Sequence, residues 1–238
     1  MNNLLFVVFP YVAATLAIVV TIIRWRRHPF SVSALSSQLL EKRKLYWGSV
    51  SFHWGITVIL VMHLVVLIIP DGIDYWNGAP VRLYLLEATG IALAVWAGVG
   101  LGILLYRRMT NLRVRAVTTR ADMVVLGIIA VAIITGLWTA IGYRWGSFWG
   151  TAVFVPYVRS LLIFQPRPEL VEALPWVIKT HVLTAFAFLV VFPFTRLVHI
   201  ITVPFGYLTR PWQKVIRMSR EPGVYHPASK KPLERIKS

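Results

Sequence analysis

The chain has 238 residues, 57% of them hydrophobic and 14% charged, with no cysteine and a formal net charge of +16. Soluble domains carry about 45–50% apolar and about 25% charged residues, so this composition excludes a soluble globular fold and points to one polytopic membrane domain. Without thiols the chain has no disulfides, thiolate iron–sulfur clusters, Cys-containing zinc sites, thiol nucleophiles or c-type haem attachment, and any redox centre must hang on histidine or methionine.

Five apolar blocks are long enough to cross about 30 Å of hydrocarbon at 1.5 Å per residue. They cover residues 4–23, 49–70, 84–106, 121–143 and 176–204. The first has no Lys or Arg before Arg24 and no convincing cleavage site, so it reads as a retained helix rather than a signal peptide. The segment that follows, residues 24–48, carries six basic residues, whereas residues 71–83 carry only Arg82. Residues 107–120 carry five, residues 144–175 carry three, and the stretch from Phe205 onward carries eight. By the positive-inside rule the N-terminus is expected outside and the C-terminus in the cytoplasm. Topology and attraction to anionic lipid account for the net charge, and no nucleic-acid partner is expected.

Between the fourth and fifth spans, Trp145, Phe148, Trp149, Phe154, Tyr157 and Phe164 make the outer loop strongly aromatic. That density suits either a lid over a lipid-accessible site or an interfacial anchor. Residues 1–210 read as the five-helix membrane domain and residues 211–238 as a basic cytoplasmic tail, disordered or ordered by a partner.

Of six histidines, His28 and His226 fall in cytoplasmic segments and four fall in spans. One membrane histidine alone is well explained as a helix–helix hydrogen-bonding residue. Here His53 and His63 share the second span and His181 and His199 the fifth, and these helices run in opposite directions. Depth pairs His63 with His181 near the outer face and His53 with His199 near the inner face, because His63 lies about 15 Å beyond His53 and His199 about 27 Å beyond His181. Two axial imidazoles from facing helices are what a six-coordinate haem b requires in a bundle core. In a continuous fifth helix His181 and His199 share a face, while His63 sits about 80° around the second helix from His53. Tilt or a kink at Pro193 is needed to reconcile the unequal spacings. Gly55 lies near His53, and Gly90, Gly98, Gly100 and Gly102 thin the third span, with Gly98 and Gly102 forming a G-x-x-x-G match that reads as a packing device.

Several strings resemble the gamma subunit of membrane-bound respiratory nitrate reductase. They are Phe52-His53 with His63 ten residues on, Arg107-Arg108 followed by the run from Arg113 to Asp122, and Phe192-Pro-Phe-Thr-Arg196-Leu-Val-His199 followed by the run from Val203 to Arg210, with Ala34-Leu-Ser-Ser-Gln38 also similar. The resemblance implies a di-haem cytochrome b in the cell (inner) membrane that oxidises a quinol, menaquinol or ubiquinol, on the outer side. Electrons would pass inward to an iron–sulfur beta subunit and on to a molybdenum-containing alpha subunit that reduces nitrate. It makes His63 and His181 ligands of the outer haem and His53 and His199 ligands of the inner one.

Secondary roles accompany that resemblance. Arg82 stands where the family often has a basic residue implicated in quinol binding, although a snorkelling interfacial charge explains it equally well. Lys179, two residues before His181, is a candidate contact for a haem propionate or a quinol oxygen. Glu87 is a candidate acceptor for a quinol proton. Arg196 and Arg108, at the inner level, are candidates for the propionates of the inner haem. Arg113 and Arg115 are candidates for the beta-subunit contact, and Asp122 reads as a helix-capping residue with Thr119. Two rival functions stand beside this one: the same di-haem scaffold in a sulfite or heterodisulfide-type reductase, and a haem-free transporter or scaffold.

Overall fold

A computed structural model describes residues 2–27, 43–195 and 197, and every described element is helical. Five helices are long and apolar enough to span a membrane: Leu4–Arg27, Leu45–Ile68, Pro80–Thr110, Arg120–Gly142 and Trp176–Phe194. The spanning helices are α1 (Phe9–Arg27, entered through a π turn over Leu4–Val8), α2 (Arg43–Ile68), α4 (Pro80–Thr110), α6 (Arg120–Gly142) and α10 (Trp176–Val191). Short helices fill the connections. α3 (Pro70–Asn77) joins α2 to α4, and α5 (Leu112–Ala116) joins α4 to α6 at the opposite end of the bundle. α7 (Gly146–Trp149), a π turn over Gly150–Phe154, α8 (Val155–Leu162) and α9 (Glu169–Glu172) join α6 to α10 on the same side as α3. That side is called the cap.

The boundaries follow from local chemistry. Pro70 and Pro80 sit in the first turns of α3 and α4, where a missing N–H costs nothing. α5 is N-capped by Asn111, whose Oδ1 accepts from the N–H groups of Arg113 and Val114 at 3.0 and 3.3 Å. α6 opens with the expected capping box, in which Thr119 Oγ1 accepts from Asp122 N–H and Asp122 Oδ2 from Thr119 N–H.

The fifth span departs from expectation. The apolar block runs over 176–204, with a kink expected at Pro193, yet the α-helix ends at Val191 and Phe192–Phe194 form a 3-10 turn leading into extended backbone at Thr195. Pro193 is the cause, since it has no N–H for the helical ladder and its ring crowds the preceding turn. Arg24, near the far end of α1, donates to the carbonyls of Pro193 and Thr195, partners the broken ladder can no longer supply. The α-helical register counted from His181 ends at Val191, eight residues before His199. His199, Arg196 and the basic tail over 211–238 lie outside the described residues.

Around the bundle, α2 packs on α4, α4 on α6, α6 on α10 and α10 on α1. The tightest approach is between α2 and α4. A Cβ on Gly100 would stand 2.4 Å from Phe52 N and 2.8 Å from Gly48 O, and one on Gly55 2.7 Å from Leu93 O, so backbone meets backbone. The G-x-x-x-G expectation is corrected here: a Cβ on Gly102 would meet nothing within 4 Å and one on Gly98 only Ile133 Cγ2 at 3.4 Å. One core cluster joins Phe52, Ala97, Leu101, Val125, Ile129 and Ile133 across α2, α4 and α6. A second, at the cap, joins Phe6, Tyr157, Leu161, Val171 and Val182. The aromatic outer loop thus contributes to the core and is more than an interfacial anchor, with Tyr157 wholly buried and Trp145 edge-on to Tyr84. Ile18, Leu64, Val99 and Ile134 turn outward along the spans, a surface that suits hydrocarbon and not water.

Candidate functional site

His63 lies five residues before the end of α2 and His181 five residues after the start of α10. Both helix ends are at the cap, so the two imidazoles come to the same depth. Their ring centres are 6.3 Å apart with planes inclined at 46°. The sequence pairing by depth and this adjacency coincide.

How each ring is held decides which nitrogen presents a lone pair. His63 Nδ1 lies 2.8 Å from Ile59 O, and His53 Nδ1 lies 2.7 Å from Ser49 O and 3.1 Å from Ser49 Oγ. A carbonyl can only accept, so Nδ1 carries the proton in both rings and Nε2 carries the lone pair. Both contacts run to the residue four positions earlier in the same helix. His53 also stands edge-on to Phe52, ring centres 5.3 Å apart.

His181 is held differently, by a neighbouring helix. Its Nδ1 lies 3.2 Å from Thr135 Oγ1 on α6. Thr135 Oγ1 is 2.7 Å from Val131 O and 3.3 Å from Ala132 O, so its proton is committed to its own helix and its oxygen accepts from His181 Nδ1–H. Nε2 again keeps the lone pair. Beside it, a Cβ on Gly136 would stand 2.9 Å from His181 Cε1 and 3.4 Å from Nδ1, so the ring comes close to α6 only because residue 136 is glycine.

Two imidazoles on opposite sides of one metal ion, each about 2 Å from it, have ring centres about 6 Å apart. The observed spacing of 6.3 Å fits axial ligation of a single haem iron. Among the described residues no group of three or more His, Cys, Asp or Glu could hold a metal ion. Thr139 Oγ1, one turn from Thr135 toward the cap, and both side-chain polar atoms of Asn77 are buried and have no partner among the described residues. These are polar groups that a bound molecule can satisfy.

The three residues assigned to quinol chemistry each tie a cap helix to a span. Arg82 Nη2 donates to Tyr75 O at 3.1 Å while its guanidinium lies over the rings of Tyr75 and Trp76, 5.3 and 5.7 Å from their centres, which anchors α3. Glu87 Oε1 accepts from Ser147 N–H at 2.9 Å and from Ser147 Oγ at 2.7 Å, which anchors α7. Lys179 Nζ donates to Glu172 O at 3.2 Å, capping α9. Thr151 Oγ1 adds a link to Asp74 Oδ1 at 2.6 Å between the two cap connections. At the opposite end Arg108 pairs through Nη1 with Asp122 Oδ2 at 3.2 Å and lies 3.4 Å from Thr118 Oγ1.

Thr135 and Gly136 were not anticipated. A Thr-Gly pair inside a hydrocarbon span reads as generic, but its depth was available: Thr135 lies seven residues from the end of α6, about 10 Å from the cap, close to the depth of His181.

Over residues 2–218 the chain matches the family model described as nitrate reductase gamma subunit. It is 32% identical over 214 residues to the nitrate reductase gamma chain of Bacillus subtilis (strain 168), covering 89% of this chain and 96% of that one. To the respiratory nitrate reductase 2 gamma chain of Escherichia coli (strain K12) it is 31% identical over 228 residues, covering 92% and 98%. The nitrate reductase-like protein NarX of Mycobacterium tuberculosis (strain ATCC 25618 / H37Rv) is 36% identical over 228 residues, which are 93% of this chain and 34% of that longer protein.

Proposed function

Because the chain belongs to the nitrate reductase gamma subunit family, a membrane-anchor subunit of an oxidoreductase complex, we propose that it oxidises quinol beneath its cap and carries the electrons to the opposite face. The observation that carries this reading is the His63–His181 pair, 6.3 Å apart with both Nδ1 atoms engaged and both Nε2 lone pairs left for a metal. Haem b bound there and at His53 and His199 supplies one-electron steps between a two-electron donor and an iron–sulfur partner.

His63 and His181 hold the outer group from two helices, and the Thr135 oxygen fixes the second ring. Arg82, Glu87 and Lys179 keep the cap closed on the spans, so that the quinol enters from the lipid side and its protons leave on the outer face. Glu87 is the carboxylate that α4 itself carries, two turns in from its cap end, and takes a quinol proton when Ser147 moves aside. Thr139 and Asn77 supply hydroxyl and amide partners for oxygens arriving there. Arg108 and Arg196 are the candidates to pair with the inner propionates, and α5 with Arg113 and Arg115 receives the iron–sulfur beta subunit, which feeds a molybdenum-containing alpha subunit. The cap is extracellular in this reading, so protons are released outside while electrons move inward. Each charge so separated is worth about 2.3 kcal/mol per 100 mV.

The test is a reduced-minus-oxidised optical spectrum and a pyridine-haem assay on the purified complex, with His63→Ala and His199→Ala alongside the wild type. Two haems b per chain are expected, with each substitution removing a different one. A colourless wild-type protein overturns the cytochrome reading and leaves a transporter or scaffold.

A further inference from the structure

His181 has its Nδ1 tied to a side chain of another helix. His53 and His63 bond the carbonyl four residues back, a contact each helix supplies by itself. For His181 the acceptors belong to another helix, one that contributes no ligand: Thr135 Oγ1, 3.2 Å from Nδ1, and beside it the Ala132 carbonyl. Two independent features of α6 converge on the ring: a hydroxyl oxygen whose own proton is committed to Val131 O, and a glycine at the next position without which the ring is displaced.

We propose that Thr135 and Gly136 form a seat on α6 that fixes the orientation and tautomer of His181, and that the Thr135 oxygen sets the electron-donating strength of this ligand and so the midpoint potential of the outer haem. The proposal rests on the haem-ligand reading above. Thr135 is a positioning residue, acting through His181. Accepting a hydrogen bond from Nδ1–H pushes electron density toward Nε2, raising ligand basicity and favouring the ferric form over the ferrous. The consequence is an outer potential lower than an unassisted imidazole would give. Because the acceptor is a hydroxyl and not a carboxylate, the effect is moderate. It is expected at the outer haem, because Thr135 contacts His181.

The seat is tested by potentiometry, monitored optically and by low-spin EPR, on the intact complex carrying Thr135→Val, Thr135→Ser or Gly136→Ala. Val matches Thr in shape and removes the acceptor; Ser keeps it. Haem content by pyridine assay and the His63→Ala spectrum identify which signal belongs to the outer haem. Thr135→Val is expected to raise the outer midpoint by about 59 mV, the one-electron equivalent of a tenfold change in relative affinity for the two oxidation states. Thr135→Ser is expected to stay within a third of that shift, and Gly136→Ala to alter the outer EPR signal. In all three the inner midpoint is expected to be unchanged. If Thr135→Val instead loses the outer haem, retention by Thr135→Ser supports the seat and loss by both overturns it. An unchanged outer midpoint in a fully loaded Thr135→Val complex, or equal shifts at both haems, overturns it too. A wild-type complex without haem b sinks the underlying reading instead, a result distinct from any of these.

Discussion

Tyr157 illustrates what one side chain does where the cap meets the spans. Its ring is wholly buried in the cluster with Phe6 and Val182, and its hydroxyl donates to Phe6 O at 2.8 Å across 151 residues of sequence. Removing the hydroxyl in Tyr157→Phe is expected to cost about 1 kcal/mol, or about 2–4 °C in Tm for a chain of this size. Burial, and to a lesser degree the neighbouring Tyr11, raise this phenol above its ordinary value of about 10. The folded chain therefore holds the phenolic proton more tightly than the unfolded chain does. That contribution is complete below about pH 10 and is lost as the pH climbs beyond it. Thermal scans of both proteins from pH 8 to pH 11 are expected to show a steeper decline for the wild type above pH 10 than for Tyr157→Phe, and parallel curves would refute the linkage. The same scale shows how legible the site was. Histidine is so costly in hydrocarbon that His63 and His181 stood out by type and depth alone. Thr135 did not, because a hydroxyl that bonds its own helix costs little in a span and its second contact depends on which helix happens to face it. Arg82, Glu87 and Lys179 were found as polar residues near the right end, yet their bonds to Tyr75, Ser147 and Glu172 depend on loop geometry that charge counting does not contain.

For whole helices, length and apolar content located all five spans, since crossing hydrocarbon demands a run of apolar residues that is visible without any partner. Their ends and contacts were less accessible. Three of the four glycines of α4 carry no backbone-to-backbone approach, and only the geometry of α2 against α4 singles out Gly100. A glycine motif names small residues but not the face that meets the neighbour. Gly100→Ala forces a methyl to within 2.4 Å of Phe52 N and 2.8 Å of Gly48 O, both backbone atoms that move only if the helices separate. Overpacking of this kind costs about 1–3 kcal/mol or more. Gly102→Ala, on the same helix and with nothing within 4 Å, is expected to stay within about 0.5 kcal/mol of the wild type. Thermal stability in detergent measures both, and equal effects would show that Gly100 has no special place in the packing. The break of α10 at Pro193 was likewise half legible. Proline announces a fault in a helix, but whether the chain kinks and continues or leaves the helix depends on partners such as Arg24, whose reach across from α1 no local rule contains.

At the scale of the molecule, the unequal chemistry of the two ends bears on orientation. The end bearing α5 gathers Arg24, Arg26 and Arg27 from the last turn of α1, Arg107 and Arg108 from the last turn of α4, and Arg113 and Arg115. Basic residues at these helix C-termini complement the helix dipole, but that local benefit does not by itself explain why both loops and helix ends on one side are basic. Retention of Lys and Arg on the cytoplasmic side does, and on the proposed orientation the cap is outside. Absence of cysteine makes this directly measurable, because a single introduced thiol is the only one in the chain. Gln165 on the cap and Ala116 at the end of α5 are both solvent-exposed, and neither side chain has a role assigned above. In intact spheroplasts treated with a membrane-impermeant maleimide and then denatured and mass-tagged, Gln165→Cys is expected to be blocked and Ala116→Cys to remain available for tagging. A parallel sample permeabilised and denatured before the maleimide, in which Ala116→Cys is expected to be blocked, and a strain lacking the partner subunits, in which it is expected to stay protected, separate membrane sidedness from masking of α5. The reverse pattern would turn the molecule over, and with it the direction in which quinol oxidation could move charge. An outward cap joins the remaining parts of the proposal physically: protons are released on the side where Glu87 and Lys179 close the loops, and electrons leave where Arg113 and Arg115 offer a cationic surface to an electron-accepting partner.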